Sequence, residues 1–391
     1  MNDEQLSQFS RGEAPPSNSE KPNLDIRRSL TLQVLIVLTL GLTISACTPR
    51  SSEVASSPSD TASPASGSTS VSSGSIVSVG GAGATYPAPL YQRWFAEYNK
   101  VNPETQVSYQ SVGSGAGVEQ FLAGSVDFGA SDAPLKAEER AKFKTKFGGE
   151  PVQVPMTGGM VVFAYNLDGV KDLKLARVAY CGIATGKITK WNDPAIVKTN
   201  AGAKLPNEAI KFFHRSDSSG TTFQFTNHLK AACPEWTAGA SKSVAWSKGM
   251  TGAQGNQGVA EQIAAISNSM GYVEHASAKQ ANLSMAAIEN KSGKLIAPSP
   301  AAGAEAFVGE KVPDDLGLTV PDSTNPKAYP IAGLTWLLLY PQPKDATKTT
   351  ALKAVIEWAL TTGKALATEL GYLPLGDELT VKAKAELNKV K

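Results

Sequence analysis

The segment Arg215-Ser216-Asp217-Ser218-Ser219-Gly220-Thr221-Thr222-Phe223 gathers the groups needed to hold an oxyanion. A Ser-Gly-Thr run that opens a helix offers free backbone N–H groups, two hydroxyls and the partial positive charge of a helix N-terminus. Gly220 has no Cβ and lets the backbone come close to a ligand. Arg215 brings a planar guanidinium whose paired N–H groups match two oxygens of an anion. Asp217, two residues on, is spaced to hold that guanidinium. Read alone, the segment serves equally well as an ordinary N-cap, because Ser and Thr cap helices commonly.

The elements around it read as α/β, with glycine loops and short apolar runs alternating with helical patterns. Strands are expected over 107–110, 126–130, 160–166, 210–214, 271–274 and 331–340, and helices over 118–123, 221–231, 259–267, 346–369 and 377–389. Leu90, Tyr91, Trp94, Phe95 and Tyr98 recur on one helical face, with Pro87 and Pro89 suited to that helix's first turn. Polar loops follow the strands at 80–85, 113–117, 131–134 and 215–220. In open α/β sheets ligands bind beyond the carboxyl ends of strands, so these loops are where a site is expected. Asp132 is the odd member. On spacing alone it reads as a turn or cap aspartate after a strand.

Four motifs occur in order: Gly81-Ala82-Gly83-Ala84-Thr85-Tyr86-Pro87-Ala88-Pro89, Gly113-Ser114-Gly115-Ala116-Gly117, Asp127-Phe128-Gly129-Ala130-Ser131-Asp132-Ala133-Pro134 and Arg215-Ser216-Asp217-Ser218-Ser219-Gly220-Thr221. Together with Gly271-Tyr272-Val273-Glu274 and Tyr329-Pro330-Ile331, they make the chain from about Gly80 onward resemble the periplasmic phosphate-binding proteins of phosphate ABC importers. The resemblance implies a type II periplasmic-binding-protein fold, with two α/β lobes closing on a dehydrated phosphate. The first lobe would comprise residues 76–163 and 328–391, and the second 164–327. The implied phosphate ligands are Thr85, Tyr86 through its backbone N–H, Ser114, Asp132, Arg215, Ser219, Gly220 and Thr221, with Asp217 in support. A carboxylate beside an anion is tolerable only if the ligand brings a proton to it, and phosphate does so at neutral pH. The implied partners are inorganic phosphate and the membrane permease subunits of an importer, and no cofactor is implied.

Composition narrows the alternatives. The chain has 391 residues, is 41% hydrophobic and 18% charged, and carries a net charge of +2. This suits a globular body with a core, and no broad basic field points to nucleic acid. Asp127-Phe128-Gly129 spells a kinase metal motif, but no glycine-rich loop with a strand lysine or catalytic loop accompanies it. No Walker sequence occurs. His214, His228 and His275 lack metal spacing, no Cys/His ligand cluster is present, and no nucleophile stands with a base. A binding protein is expected rather than an enzyme. A receptor for sulfate or molybdate, or a sensor or adhesive lipoprotein on the same fold, stays open on the residues alone.

The N-terminal region carries a different signal. Arg27 and Arg28 precede an apolar run from Leu30 to Ile44 that ends Ile44-Ser45-Ala46-Cys47. The run is shorter than the about 20 residues of a membrane span and reads as a secretory signal. Its end resembles a bacterial lipobox, which makes residues 1–47 a signal peptide and Cys47 the lipidated residue. Residues 48–75 are Ser-rich and free of aromatics, as a flexible tether would be. The protein is thus expected outside the cytoplasm, anchored to the membrane by lipid. Setting Cys47 aside leaves Cys181 and Cys233, an even remainder that suggests a disulfide in that compartment, with two separate buried thiols as the alternative.

Overall fold

The computed structural model describes residues 75–391. The signal peptide, the lipobox with Cys47 and all of the tether except Ser75 lie outside the described residues. Among the described residues no helix is long and apolar enough to cross a membrane.

The frame of the fold is one sheet whose strands lie in the order Thr105–Ser111, Val77–Gly83, Phe128–Ser131, Ala332–Leu339, Val152–Asn166, Ser269–Glu274, Lys211–Arg215 and Thr251–Ala253, with Ser284–Met285 also paired to Val152–Asn166. The pairings toward each end of this order are parallel, and the three pairings in the middle are antiparallel. Val152–Asn166 joins the two halves. Its Val152–Met160 stretch pairs with Ala332–Leu339, and from Val161 onward it pairs with Ser269–Glu274. Every residue of this strand except Asn166 is buried, which is why it reads as a continuous apolar run rather than an alternating one.

The 160–166 strand expected from the sequence is the second half of this longer element. Its first half is harder to read because Pro155 cannot donate to a ladder. Pro155 stands opposite Trp336, where the register slips between Thr335 and Trp336. A second difference is at the C-terminal end. The single helix expected over 346–369 is two helices, Ala346–Ala359 and Lys364–Leu370. Between them the Trp94 indole donates 2.8 Å to the carbonyl of Gly363. A Cβ at Gly363 would press on that indole and on Ala359. The chain therefore turns where a neighbouring helix needs room, a tertiary demand that the helical pattern does not announce.

The remaining helices follow their apolar faces. Ala88–Val101 buries Leu90, Tyr91, Trp94, Phe95 and Tyr98, as the spacing requires. Each such side chain contributes about 1.5–3 kcal/mol when fully buried. Helix Arg177–Ala184 carries Cys181, and Cys233 ends helix Gly220–Ala232. Their Cα atoms are 5.5 Å apart and their sulfurs face each other at bonding distance.

Candidate functional site

The polar loops after the strands come together in one place. Strand Val77–Gly83 ends in Ala84, Thr85 and Tyr86, which lead into helix Ala88–Val101. Strand Thr105–Ser111 passes through Gly113, at φ +94°, into helix Ser114–Ala123. Strand Phe128–Ser131 ends in a tight turn in which the Ser131 hydroxyl donates 2.6 Å to the Ala133 carbonyl and accepts from the Ala133 N–H. That turn aims Asp132 inward. Strand Lys211–Arg215 leads to helix Gly220–Ala232, whose N-cap is Ser219, its Oγ accepting 3.1 Å from the Thr222 N–H.

The loops touch. The Gly115 N–H donates 2.8 Å to the Ser218 carbonyl. A Cβ at Gly113 would run into the Asp217 carboxylate, and one at Gly220 would meet Ser114 Oγ and the Asp132 side chain, the latter's Cβ at 2.5 Å. These are the close approaches for which glycine is needed. Every expected ligand side chain is buried, and Thr85, at 8% exposure, is the most accessible. A cavity of about 660 Å³ reaches Thr85, Gly255 and Asn256 from the surface.

Arg215 is held as its spacing to Asp217 suggested. Its Nε donates 2.7 Å to Asp217 Oδ1, its Nη2 donates to Asp217 Oδ2, and its Nη1 donates 3.2 Å to Thr221 Oγ1. Of five N–H groups on a guanidinium, one on each terminal nitrogen is left for a ligand. Burial acts to raise the Asp217 carboxyl, but the hydrogen bond and charge of Arg215 outweigh it and hold the group below the usual carboxylate range. Asp132 is a different case. Its Oδ1 accepts 2.8 Å from Thr335 Oγ1, and its Oδ2 lies 3.3 Å from Ser114 Oγ. Burial pushes the carboxyl up to about 7, against the downward pull of Thr335, Arg215 and Ser114. It caps no helix, and it sits buried in the turn after strand Phe128–Ser131.

The charges nearly cancel, since Arg215 is matched by Asp217. What remains for an anion is a set of oriented dipoles: three helix N-termini, the hydroxyls of Thr85 and Thr221, and two guanidinium N–H groups, the Ser114 hydroxyl hydrogen being turned to Asp132 Oδ2. Beside them is one acceptor, Asp132. Tyr86 is fully buried, its carbonyl accepting 2.7 Å from the Tyr372 hydroxyl. The Tyr86 hydroxyl donates 3.4 Å to the Gly333 carbonyl.

Three further residues support this cluster, and sequence reasoning passed over them. Thr335 sits in the apolar strand Ala332–Leu339 and shows its function only through the pairing that sets it beside Asp132. Gln224 donates to the Asp132 and Leu334 carbonyls. Asn256 donates to both Thr85 and Thr221. It follows Thr251–Ala253, a fourth strand-loop-helix junction, but a strand of three residues is too short to leave a periodic signal.

The histidines lie elsewhere. His214 stacks on Trp246, its Nδ1 donating to the Arg215 carbonyl rather than approaching the guanidinium. His228 is buried, with Nδ1 donating to the Pro321 carbonyl and Nε2 left to accept from Tyr180, and burial lowers it to about 4. His275 is also buried. Among the described residues no group of three or more metal-ligating side chains gathers.

A profile of the PBP superfamily domain matches residues 58–362. The phosphate-binding protein PstS of Pasteurella multocida is 41% identical over 314 residues, covering 78% of this chain and 88% of that one. Two solved structures share the fold. One is a high-affinity periplasmic phosphate-binding protein, PfluDING, bound with phosphate (TM-score 0.67, 23% identity, 79% of this chain and 93% of that one). The other is a putative phosphate ABC transporter substrate-binding protein with bound phosphate from Clostridium perfringens (TM-score 0.56, 17% identity, 77% and 100%). With a superfamily match across most of the described chain and such identity along nearly the whole of a relative, this chain belongs to the PstS family of phosphate-binding proteins and has its type II periplasmic-binding-protein fold.

Proposed function

We propose that this protein captures inorganic phosphate outside the cytoplasm and delivers it to the permease of an ABC importer. The observation that carries this is the ring of donors closed around a single buried acceptor, Asp132. An oxyanion that keeps a proton satisfies both, and phosphate keeps at least one at neutral pH. The ligands in this reading are Thr85, Tyr86 through its N–H, Ser114, Asp132, Arg215, Ser219, Gly220 and Thr221, with Asp217 holding Arg215. The protein is a carrier, not an enzyme.

The two-lobe division, residues 76–163 with 328–391 against 164–327, belongs to the same reading. It is supported by the exchange of pairing partners along Val152–Asn166, which falls between Met160 and Val161. Thr85, Ser114 and Asp132 then come from one lobe, and Arg215, Ser219 and Thr221 from the other. A disulfide between Cys181 and Cys233 is part of the proposal, and thiol counting on the denatured, oxidised protein should find neither free. The lipid anchor at Cys47 rests on the sequence. Fatty-acid labelling should mark the wild-type protein and not Cys47→Ser.

Calorimetric titration with phosphate, sulfate and arsenate tests the function. Phosphate and arsenate should bind and sulfate should bind far more weakly. Failure of phosphate to bind, or equal binding of sulfate, would overturn the reading.

A further inference from the structure

Asn256 is the second residue of helix Gly255–Ala265 and is 1% exposed. Which end of its amide is nitrogen is normally an assignment, but here a backbone group decides it. The Glu274 N–H, a donor only, lies 3.0 Å from Asn256 Oδ1. The other end is therefore the NH2 group, and it donates 2.9 Å to Thr85 Oγ1 and 2.9 Å to Thr221 Oγ1. The Asn256 backbone N–H, free because it opens a helix, also donates to Thr85 Oγ1, at 3.2 Å.

A hydroxyl has one hydrogen to donate and two lone pairs to accept with. Both lone pairs of Thr85 Oγ1 are taken by Asn256. Both lone pairs of Thr221 Oγ1 are taken as well, one by Asn256 and one by Arg215 Nη1. Neither hydroxyl can accept anything more, and each has only its hydrogen left to offer.

We infer that Asn256 is a positioning residue that fixes the direction of two hydroxyl hydrogens, so that Thr85 and Thr221 meet the bound anion as donors. Without it, a threonine hydroxyl can turn and present lone pairs to the anion. The inference rests on the phosphate-binding reading and adds to it a cause for the site's polarity. It also links the two proposed lobes, since one amide grips a hydroxyl from each.

The test is a set of phosphate titrations. Asn256→Ala frees the two hydroxyls to rotate and should weaken binding about tenfold, the scale of one hydrogen bond to a charged group. Asn256→Asp keeps the shape and the acceptor for Glu274, but it reverses the polarity. Both hydroxyls would donate to the new carboxylate and turn lone pairs to the anion. At pH 8 binding should fall by about a thousandfold, the scale of a buried unpaired charge. As pH falls toward 5 and that carboxyl gains a proton, the deficit relative to wild type should shrink by about tenfold or more. Arg215, Asp217, Asp132 and Glu274 surround the position and titrate or carry charge in every variant, so each affinity is divided by that of wild type at the same pH. Equal losses for the two variants at every pH would reduce Asn256 to a packing residue and overturn the inference.

Should Asn256→Asp fail to fold, a double-mutant cycle decides instead. In a Thr85→Val, Thr221→Val background, Asn256→Ala should cost no further affinity, and a full additional tenfold loss would overturn the inference. A wild-type protein that does not bind phosphate would defeat the functional reading itself, an outcome distinct from either of these.

Discussion

Asp132 concentrates the conflict at the heart of the site, because it is a carboxylate placed where an anion must go. With the loops together, burial raises its carboxyl to about 7, above the ordinary aspartate value of about 3.9. Between those values the native state holds more protons than the unfolded one, so stability falls as pH rises through that window and levels off above it. Asp132→Asn should therefore gain more melting temperature over wild type at pH 8 than at pH 4, as thermal unfolding at the two values will show. The same substitution should narrow the preference for phosphate over sulfate by two to four decades, since an amide can turn to donate to a fully ionised anion, and competition binding measures this. Arg215, Asp217 and the Ser-Gly-Thr run are legible from residue type because their chemistry is local. Thr335 and Asn256 are not. A threonine in an apolar strand and an asparagine in a helix's first turn look ordinary, and only the approach of distant segments gives them work at the site.

Elements matter here chiefly through where they begin. The helices Ala88–Val101, Ser114–Ala123 and Gly220–Ala232 all point their N-termini at one spot, and each follows a strand end through a short loop. That much was readable, because hydrophobic periodicity and the glycine and proline punctuation agree along these stretches. The first half of Val152–Asn166 was not, with Pro155 interrupting the pattern, nor was the break at Gly363, which exists to admit Trp94. Gly220 gives the sharpest test of how closely the helix start must approach. Its backbone is not in the left-handed region, so Gly220→Ala should leave the ligand-free protein's melting temperature unchanged or slightly higher. The added methyl meets Ser114 and Asp132 only when the loops are together. Phosphate affinity should fall at least a hundredfold, read by titration, and a variant that binds normally would mean that the bound form is looser than the structure described here.

At the scale of the whole molecule, ligands drawn from both halves of the sheet mean that phosphate should favour the closed arrangement over an open one. Small-angle scattering of the folded body should show a smaller radius of gyration at saturating phosphate, and an unchanged profile would count against closure. The strand order has a further consequence, one of timing. Ala332–Leu339 lies between Phe128–Ser131 and Val152–Asn166, so the sheet has a gap until almost the last residues are made. Strands 77–131 have no hydrogen-bonded path to the rest without it. A ribosome reaches the central strand only after residues 77–331 have been made, and the first half of the sheet must wait for it. Joining the two parts of the sheet is therefore set by the tail of the message rather than its head. A chain stopped at residue 327 should keep only the weaker transition of residues 164–327, whereas supplying residues 328–391 as a separate peptide should restore the full one.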